Sequence, residues 1–287
     1  MNARGGTAGW PLARVLPLVS VALVAAPALV GGAYSLAASV GVVGAGAADA
    51  AWSDGWRVLL TPETWRSLAW TAITSAIATL IALATAVFIG VRLRSSPMGR
   101  WLAVAPIAVP HVAAALAAIL LLGQSGLVSR LAVGVGLTSV PADFPALAYN
   151  ASAVALIATM AWKEFPFLAL TVLAVLDTRG SALEESAQTL GATRIQAFRR
   201  ITWPLLWRGV APAVIAVYAF LLGTYEMPAL LGPSDPVPFP VLTLERSTDP
   251  DLQRRGEAHV LALTALAATL ALVAVHQRLR AASGDGD

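Results

Sequence analysis

Apolar residues gather in six long runs, at roughly 13–38, 66–91, 101–123, 148–176, 205–226 and 257–277. Each is near or above the ~20 residues with which an α-helix crosses ~30 Å of hydrocarbon. The pattern predicts an all-α, polytopic membrane protein with six transmembrane helices. The fourth run is interrupted by Lys163, Glu164 and Pro166. The first run follows Arg4 and Arg14 and leads into small residues, AGAADA at 45–50, that would suit a signal peptidase. A cleaved signal has an apolar core of about 7–15 residues. This run, from Val15 to Ala38, is 24 residues long, so a retained first helix is expected.

Between the fourth and fifth runs the pattern changes. The segment 181–204, SALEESAQTLGATRIQAFRRITWP, is polar and charged but carries helix signals. Glu184, Glu185, Arg194, Arg199 and Arg200 would each cost about 2.5–3.5 kcal/mol at the bilayer centre, which excludes insertion. Ser181-x-x-Glu184 and Thr193-x-x-Gln196 both fit the capping box. Gly191 stands between them, where a helix ends in a left-handed residue. Leu183, Ala187, Leu190, Ile195, Phe198 and Ile201 recur every three to five residues and form one apolar face. Trp203 precedes Pro204 and is expected to end the second helix, because a residue before proline avoids the α region. The segment therefore reads as two short helices joined at a glycine. Helices of 8–10 residues are not stable alone in water, so they need a surface. Two readings fit: a loop resting on lipid or on its own spans, and a docking element for a cytoplasmic partner.

Composition agrees with a bilayer. The chain of 287 residues is 57% hydrophobic and 12% charged, with mean hydropathy +0.73; soluble domains carry about 25% charged residues. It has no cysteine, which excludes disulfides and thiolate metal sites. The net charge is only +3, so placement matters more than the sum. One side of the predicted topology holds eleven arginines, at 4, 14, 92, 94, 100, 179, 194, 199, 200, 278 and 280. The other holds six, at 57, 66, 130, 246, 254 and 255, mixed with acidic residues. The excess of positive charge predicts that both termini and the 177–204 segment are cytoplasmic, in a plasma or inner membrane.

The run Glu185-Ser186-Ala187, three residues, Gly191, nine residues, Ile201, one residue, Trp203, Pro204 resembles the EAA motif of ABC importer permeases. The spacing of that motif is kept throughout; Ser186 and Trp203 are mild departures. Flanking stretches are similar to the family too: SLAWTAITSAIATLIALATAVFIGV at 67–91, APIAVPHVAAALAAILLLGQSG at 105–126 and AWKEFPFLALTVLAVL at 161–176. The likeness covers roughly 60–278 and leaves the first span outside. It implies a type I permease fold whose motif forms coupling helices seated on an ATP-hydrolysing subunit. On that basis Glu184, Glu185, Ser186, Ala187, Gly191, Ala192, Phe198, Ile201 and Pro204 are the candidate coupling residues. Glu185 would be the charged contact, and Gly191 would allow close backbone approach. The implied partners are ABC ATPase subunits, a second permease subunit and an extracytoplasmic solute-binding protein. The segment GTYEMPALLGP at 223–233 is most similar to permeases of the polyamine, thiamine and iron(III) group.

A P-loop requires G-x-x-x-x-G-K-[ST]. The only lysine, Lys163, follows Trp162 inside a span. The chain therefore offers no such nucleotide site, and no cofactor is expected on it: ATP would act on the partner subunit. Lys163 and Glu164 are expensive inside a membrane, and such residues usually face a bundle interior or water-filled cavity. Adjacent residues share no helix face, so they are expected to pair with other helices. They either line the translocation path or make buried structural contacts near a proline kink at Pro166. Tyr225 and Glu226 are expected to close the fifth span as further path candidates, with Asn150 and Gln124 as weaker ones. Pro228, Gly232, Pro233, Pro236, Pro238 and Pro240 predict a loop too broken for helix, which by family analogy would meet the binding protein.

Two rival readings compete with this one. Gly123-Gln124-Ser125-Gly126 resembles the G-x-S-G run of rhomboid-type intramembrane serine proteases, with His259 as the candidate base. That motif is short and leaves 181–204 unexplained. A stand-alone secondary transporter would show repeats, and no second copy of any segment is visible. His111 reads as a packed neutral side chain. His259 and His276 have no second ligand at metal spacing. The expected organisation is a first helix and outer loop at 1–57, a five-helix permease core at 58–280, and a cytoplasmic tail at 281–287, acting as a non-catalytic transport subunit.

Overall fold

A computed structural model describes residues 11–44, 53–93, 96–179 and 182–282. Among these the structure is helical, without strands. Six helical stretches are long and apolar enough to cross a membrane, so this is a multi-pass membrane protein. The Arg4, Arg94 and Ser181 features of the sequence, and AGAADA at 45–50, lie outside the described residues.

The chain divides into two compact units. The first comprises Met1–Leu60 and Glu245–Thr264. It holds α1 (Pro11–Ser39), a 3-10 turn at Gly55–Leu60 and the start of the last helix. Gly55 and Gly256 lie so close that a Cβ on Gly55 would meet the Gly256 carbonyl at 3.0 Å. Arg246 pairs with Glu257 at 3.3 Å, and Arg254 bridges Asp249 at 3.3 Å and Glu257 at 4.0 Å.

The second unit comprises Thr61–Leu244 and Ala265–Asp287. Its centre is α2 (Pro62–Leu93) packed along α6 (Val154–Arg179). Ser75, Thr79, Ala82, Ala86 and Gly90 recur every three or four residues on α2, and all are buried. Small side chains let helix backbones approach where lipid supplies no hydrophobic drive between helices. On α6 they meet Leu168, Ala169, Val172, Leu173 and Leu176.

The third apolar run is not the single span that the sequence predicts. It forms α3 (Pro97–Val104), a 3-10 turn (Ala105–Ala108) and α4 (His111–Leu122). Pro106 and Pro110 remove amide donors and force the break. A short α5 (Leu127–Gly134) follows the turn at 123–126. The fourth span starts at Val154, not 148, because Tyr149 (φ 60°) and Ala153 (φ 54°) hold the preceding loop in left-handed backbone.

After α6 come α7 (Ala182–Thr189) and α8 (Arg194–Ala197), a π turn (Phe198–Thr202) and α9 (Trp203–Gly223). Trp203-Pro204 does not end the second short helix as expected. Trp203 stays α-helical (φ −63°, ψ −47°), and its amide donates to Phe198 O, five residues back. The wider π turn takes up the register change, and Pro204 sits in the first turn of α9, where a missing amide is tolerated. The fifth span therefore ends at Gly223. The proline-rich stretch beyond it is more helical than its composition suggests, with α10 (Glu226–Leu231) and α11 (Phe239–Ser247). Pro228 and Pro240 each lie in the first turns of these helices. The last helix is α12 (Arg255–Ala282).

Candidate functional site

The polar hairpin between α6 and α9 is built by local chemistry. Gly191 has φ 89° and ends α7. Its amide donates to Gln188 O, and the Ala192 amide donates to Ala187 O, both at 3.0 Å. This pair of bonds is the Schellman closure, which needs a residue without Cβ strain at that position. Nothing lies within 4 Å of a Cβ built on Gly191, so its requirement within the chain is conformational rather than close approach. Thr193 and Gln196 form the reciprocal capping box: the Thr193 amide donates to Gln196 Oε1 at 2.9 Å, and the Gln196 amide to Thr193 Oγ1 at 3.3 Å.

A side-chain bond ties the hairpin to the foot of α9. Thr202 Oγ1, in the π turn, donates to Glu184 Oε2 at 3.2 Å. Its neighbour Glu185 is exposed, as is Ser186. Ala187, Ala192, Phe198 and Ile201 are half-buried, while Pro204 is exposed. The Phe198 ring lies 6.2 Å from that of Trp203, which stacks on Trp207 at 5.8 Å. The predicted apolar face is split. Leu190 is 90% exposed, Ile195 72% and Leu183 57%. Beside them a groove of about 530 Å³ is lined by Phe88 and Arg92 of α2 together with Glu185, Gln188, Arg194 and Ile195.

A second constellation lies at the break in the third span. Lys163 is 7% exposed, and its Nζ donates to Pro106 O at 2.8 Å and Val109 O at 2.5 Å. These carbonyls belong to the turn between α3 and α4, so the ammonium adds to the Val109 amide that Pro106 O already accepts and supplies Val109 O with a side-chain donor. Glu164, 9% exposed, accepts from His111 Nε2 at 3.1 Å. The two neighbours on α6 thus pair with other elements, as the sequence predicts. His111 is not merely packed: it holds the Glu164 carboxylate and sets its ring 5.7 Å from that of Phe220 on α9. Sequence reasoning missed this partner, since 53 residues separate the pair.

Other candidates are placed elsewhere. Tyr225 lies between α9 and α10, and Glu226 opens α10, which packs on α4 and α6 through buried Met227 and Leu231. Asn150 Oδ1 accepts from the Ser152 and Ala153 amides, an Asx turn before α6. Gln124 Nε2 donates to Phe144 O at 3.1 Å. Ser125 sits in a tight turn, its carbonyl accepting from Arg130 Nε at 3.0 Å. His259 Nδ1 lies 3.4 Å from Ser35 Oγ, with its ring edge-on to Tyr34.

Residues 94–282 match the model of the family described as binding-protein-dependent transport system inner membrane component. The chain belongs to that family. The match takes in both the hairpin and the broken third span, and leaves α1 and α2 outside. Among curated relatives, the sulfate transport system permease protein CysT of Salmonella typhimurium is 49% identical over 57 residues, covering 20% of this chain and 19% of that one. The inner membrane ABC transporter permease protein YnjC of Escherichia coli is 27% identical over 240 residues, covering 76% and 42%. The chain thus spans less than half the length of these two relatives. The fold is similar to that in the crystal structure of a bacterial alginate ABC transporter in complex with alginate pentasaccharide-bound periplasmic protein. That likeness has a TM-score of 0.68 and 18% identity over 93% of this chain and 92% of that one. Both the α7–α8 hairpin and the Lys163–Glu164 constellation lie within the residues matched by the family model.

Proposed function

We propose that this chain is the membrane-spanning subunit of an ATP-driven importer, and that the α7–α8 hairpin is the seat for a separate ATPase subunit. The observation that carries this reading is the hairpin itself. Its backbone is closed by its own Schellman and capping-box bonds, yet Leu190 and Ile195 remain exposed. A hairpin locked in shape with its apolar residues turned out is preorganised for a partner. The excess of arginine on its side of the topology supports a cytoplasmic hairpin, with both termini on the same side. The absence of a P-loop lysine fits hydrolysis on another chain. On this reading the chain has no catalytic role of its own and binds no cofactor.

Glu185 faces the ATPase, and Gly191 sets the turn that enters its groove. A second permease copy, or a related chain, completes the path, and an extracytoplasmic binding protein delivers a small solute. Closure of two ATPase subunits moves the hairpins, and α9, continuous with the hairpin through the π turn, carries that movement into the membrane.

Purification of the chain in mild detergent together with its companion ATPase tests the reading. A stable complex whose ATPase activity rises with the loaded binding protein is expected. A hairpin accessible only from outside the cell, or no nucleotide-hydrolysing companion, would overturn it.

A further inference from the structure

The break in the third span is held from two sides. Lys163 fixes the carbonyls of Pro106 and Val109 at the turn itself. One residue further on α6, Glu164 holds His111, the first residue of α4. The ring of His111 also faces Phe220, near the far end of α9. So the start of α4 lies where α6, which bears the charges, meets α9, which begins at the hairpin.

We propose that His111 and Glu164 form a latch that sets the angle of α4 to α3, with Lys163 as the fixed pin of the same hinge. The physical reason lies in what each bond holds. Between Val104 and Pro110 the helical ladder is interrupted, so α3 and α4 are not one rigid rod. Lys163 donates to backbone carbonyls inside the turn and therefore holds the pivot. The His111–Glu164 bond acts on α4 itself and resists its rotation about that pivot. His111 is about a third exposed while Glu164 is nearly covered, so the latch can open on the imidazole side without exposing Lys163. These are positioning residues for the opening of the path. Their role in transport rests on the importer reading above; the hinge itself does not.

The cysteine-free chain permits a direct test. Met98 on α3 and Leu120 on α4 are exposed on either side of the break. Spin labels on M98C/L120C, measured by pulsed electron resonance in lipid nanodiscs, report the α3–α4 distance. With His111 and Glu164 intact, one narrow distribution is expected. H111L should broaden it or add a second distance, and the exchange H111E/E164H should narrow it again. Should H111L not insert, E164L removes the other partner of the same bond and carries the test. An H111L or E164L distribution as narrow as the parent, or an exchange variant as broad as the single variants, overturns the latch. In the assembled transporter, H111L is expected to lower solute moved per ATP hydrolysed at least threefold while complex yield stays unchanged. An unchanged ratio overturns the gating role. Failure of the unmodified complex to transport overturns the importer reading and with it that role, leaving the distance result to decide the hinge.

Discussion

Thr202, in the π turn below α9, donates a hydrogen bond of 3.2 Å to Glu184, while the adjacent Glu185 makes its surface outward. Two neighbouring carboxylates therefore have different work. Glu184 ties the first short helix to the foot of the span; Glu185 is open to a partner. A hydrogen bond of this partly buried kind contributes about 1 kcal/mol. T202V is expected to raise amide exchange across 182–202 about fivefold, read by hydrogen–deuterium exchange, with the rest of the chain unaffected. E185A should leave that exchange unchanged and instead weaken binding of the companion ATPase in a pull-down titration. Identical effects of the two substitutions would refute this division of labour.

Gly191 offers a sharper test of the hairpin's shape. An L-residue in left-handed backbone costs roughly 1–2 kcal/mol, less for asparagine. No neighbour crowds the position, so sterics within the chain add nothing. G191A is expected to weaken ATPase binding about 5- to 30-fold, and G191N less. Equal loss with both would mean that contact with the partner, rather than backbone strain, governs this residue.

Local signals made the hairpin legible. Gly191, Thr193 and Gln196 act on residues within five positions, and their geometry follows from sequence spacing. The six apolar runs were equally plain. What the sequence hid was tertiary. Lys163 meets Pro106 and Val109 across 57 and 54 residues, and no periodicity points to that meeting. Pro106 and Pro110 sit in a run apolar enough to read as one span, so hydropathy masked the break. In α10 and α11 the prolines suggested loop, but proline in a first helical turn loses no bond. Trp203 misled for a related reason: a π turn, which no single residue announces, let the helix pass through Pro204.

The α2–α6 seam predicts stability rather than transport. A Cβ on Gly90 would overlap Cγ1 of Val172, and one on Gly209 of α9 would stand 2.6 Å from Cγ2 of Val175. Overpacking of this kind typically costs about 1–3 kcal/mol. G90L is expected to lower the thermal unfolding midpoint in detergent by several degrees, and V172A should recover part of the loss in the double variant. No recovery would show that α2 and α6 do not meet at these two residues.

Lys163 gives the last prediction. Two opposing effects decide the outcome of K163M. Removing a buried ammonium relieves its desolvation, which favours the variant. It also strips Pro106 and Val109 of their side-chain donor, at roughly 1–3 kcal/mol for each carbonyl left unsatisfied. Pro106 O retains the Val109 amide at 3.2 Å, so the larger loss falls on Val109 O. The loss is expected to prevail, because the lysine reaches its partners from a rigid helix and the broken turn holds no replacement amide. K163M should unfold at lower temperature than the parent, and accessibility of cysteines placed at 105–108 should rise. K163R should rescue little, since a planar guanidinium cannot reproduce the compact ammonium between two carbonyls. A K163M chain as stable as the parent would show that the break holds its shape without this pin.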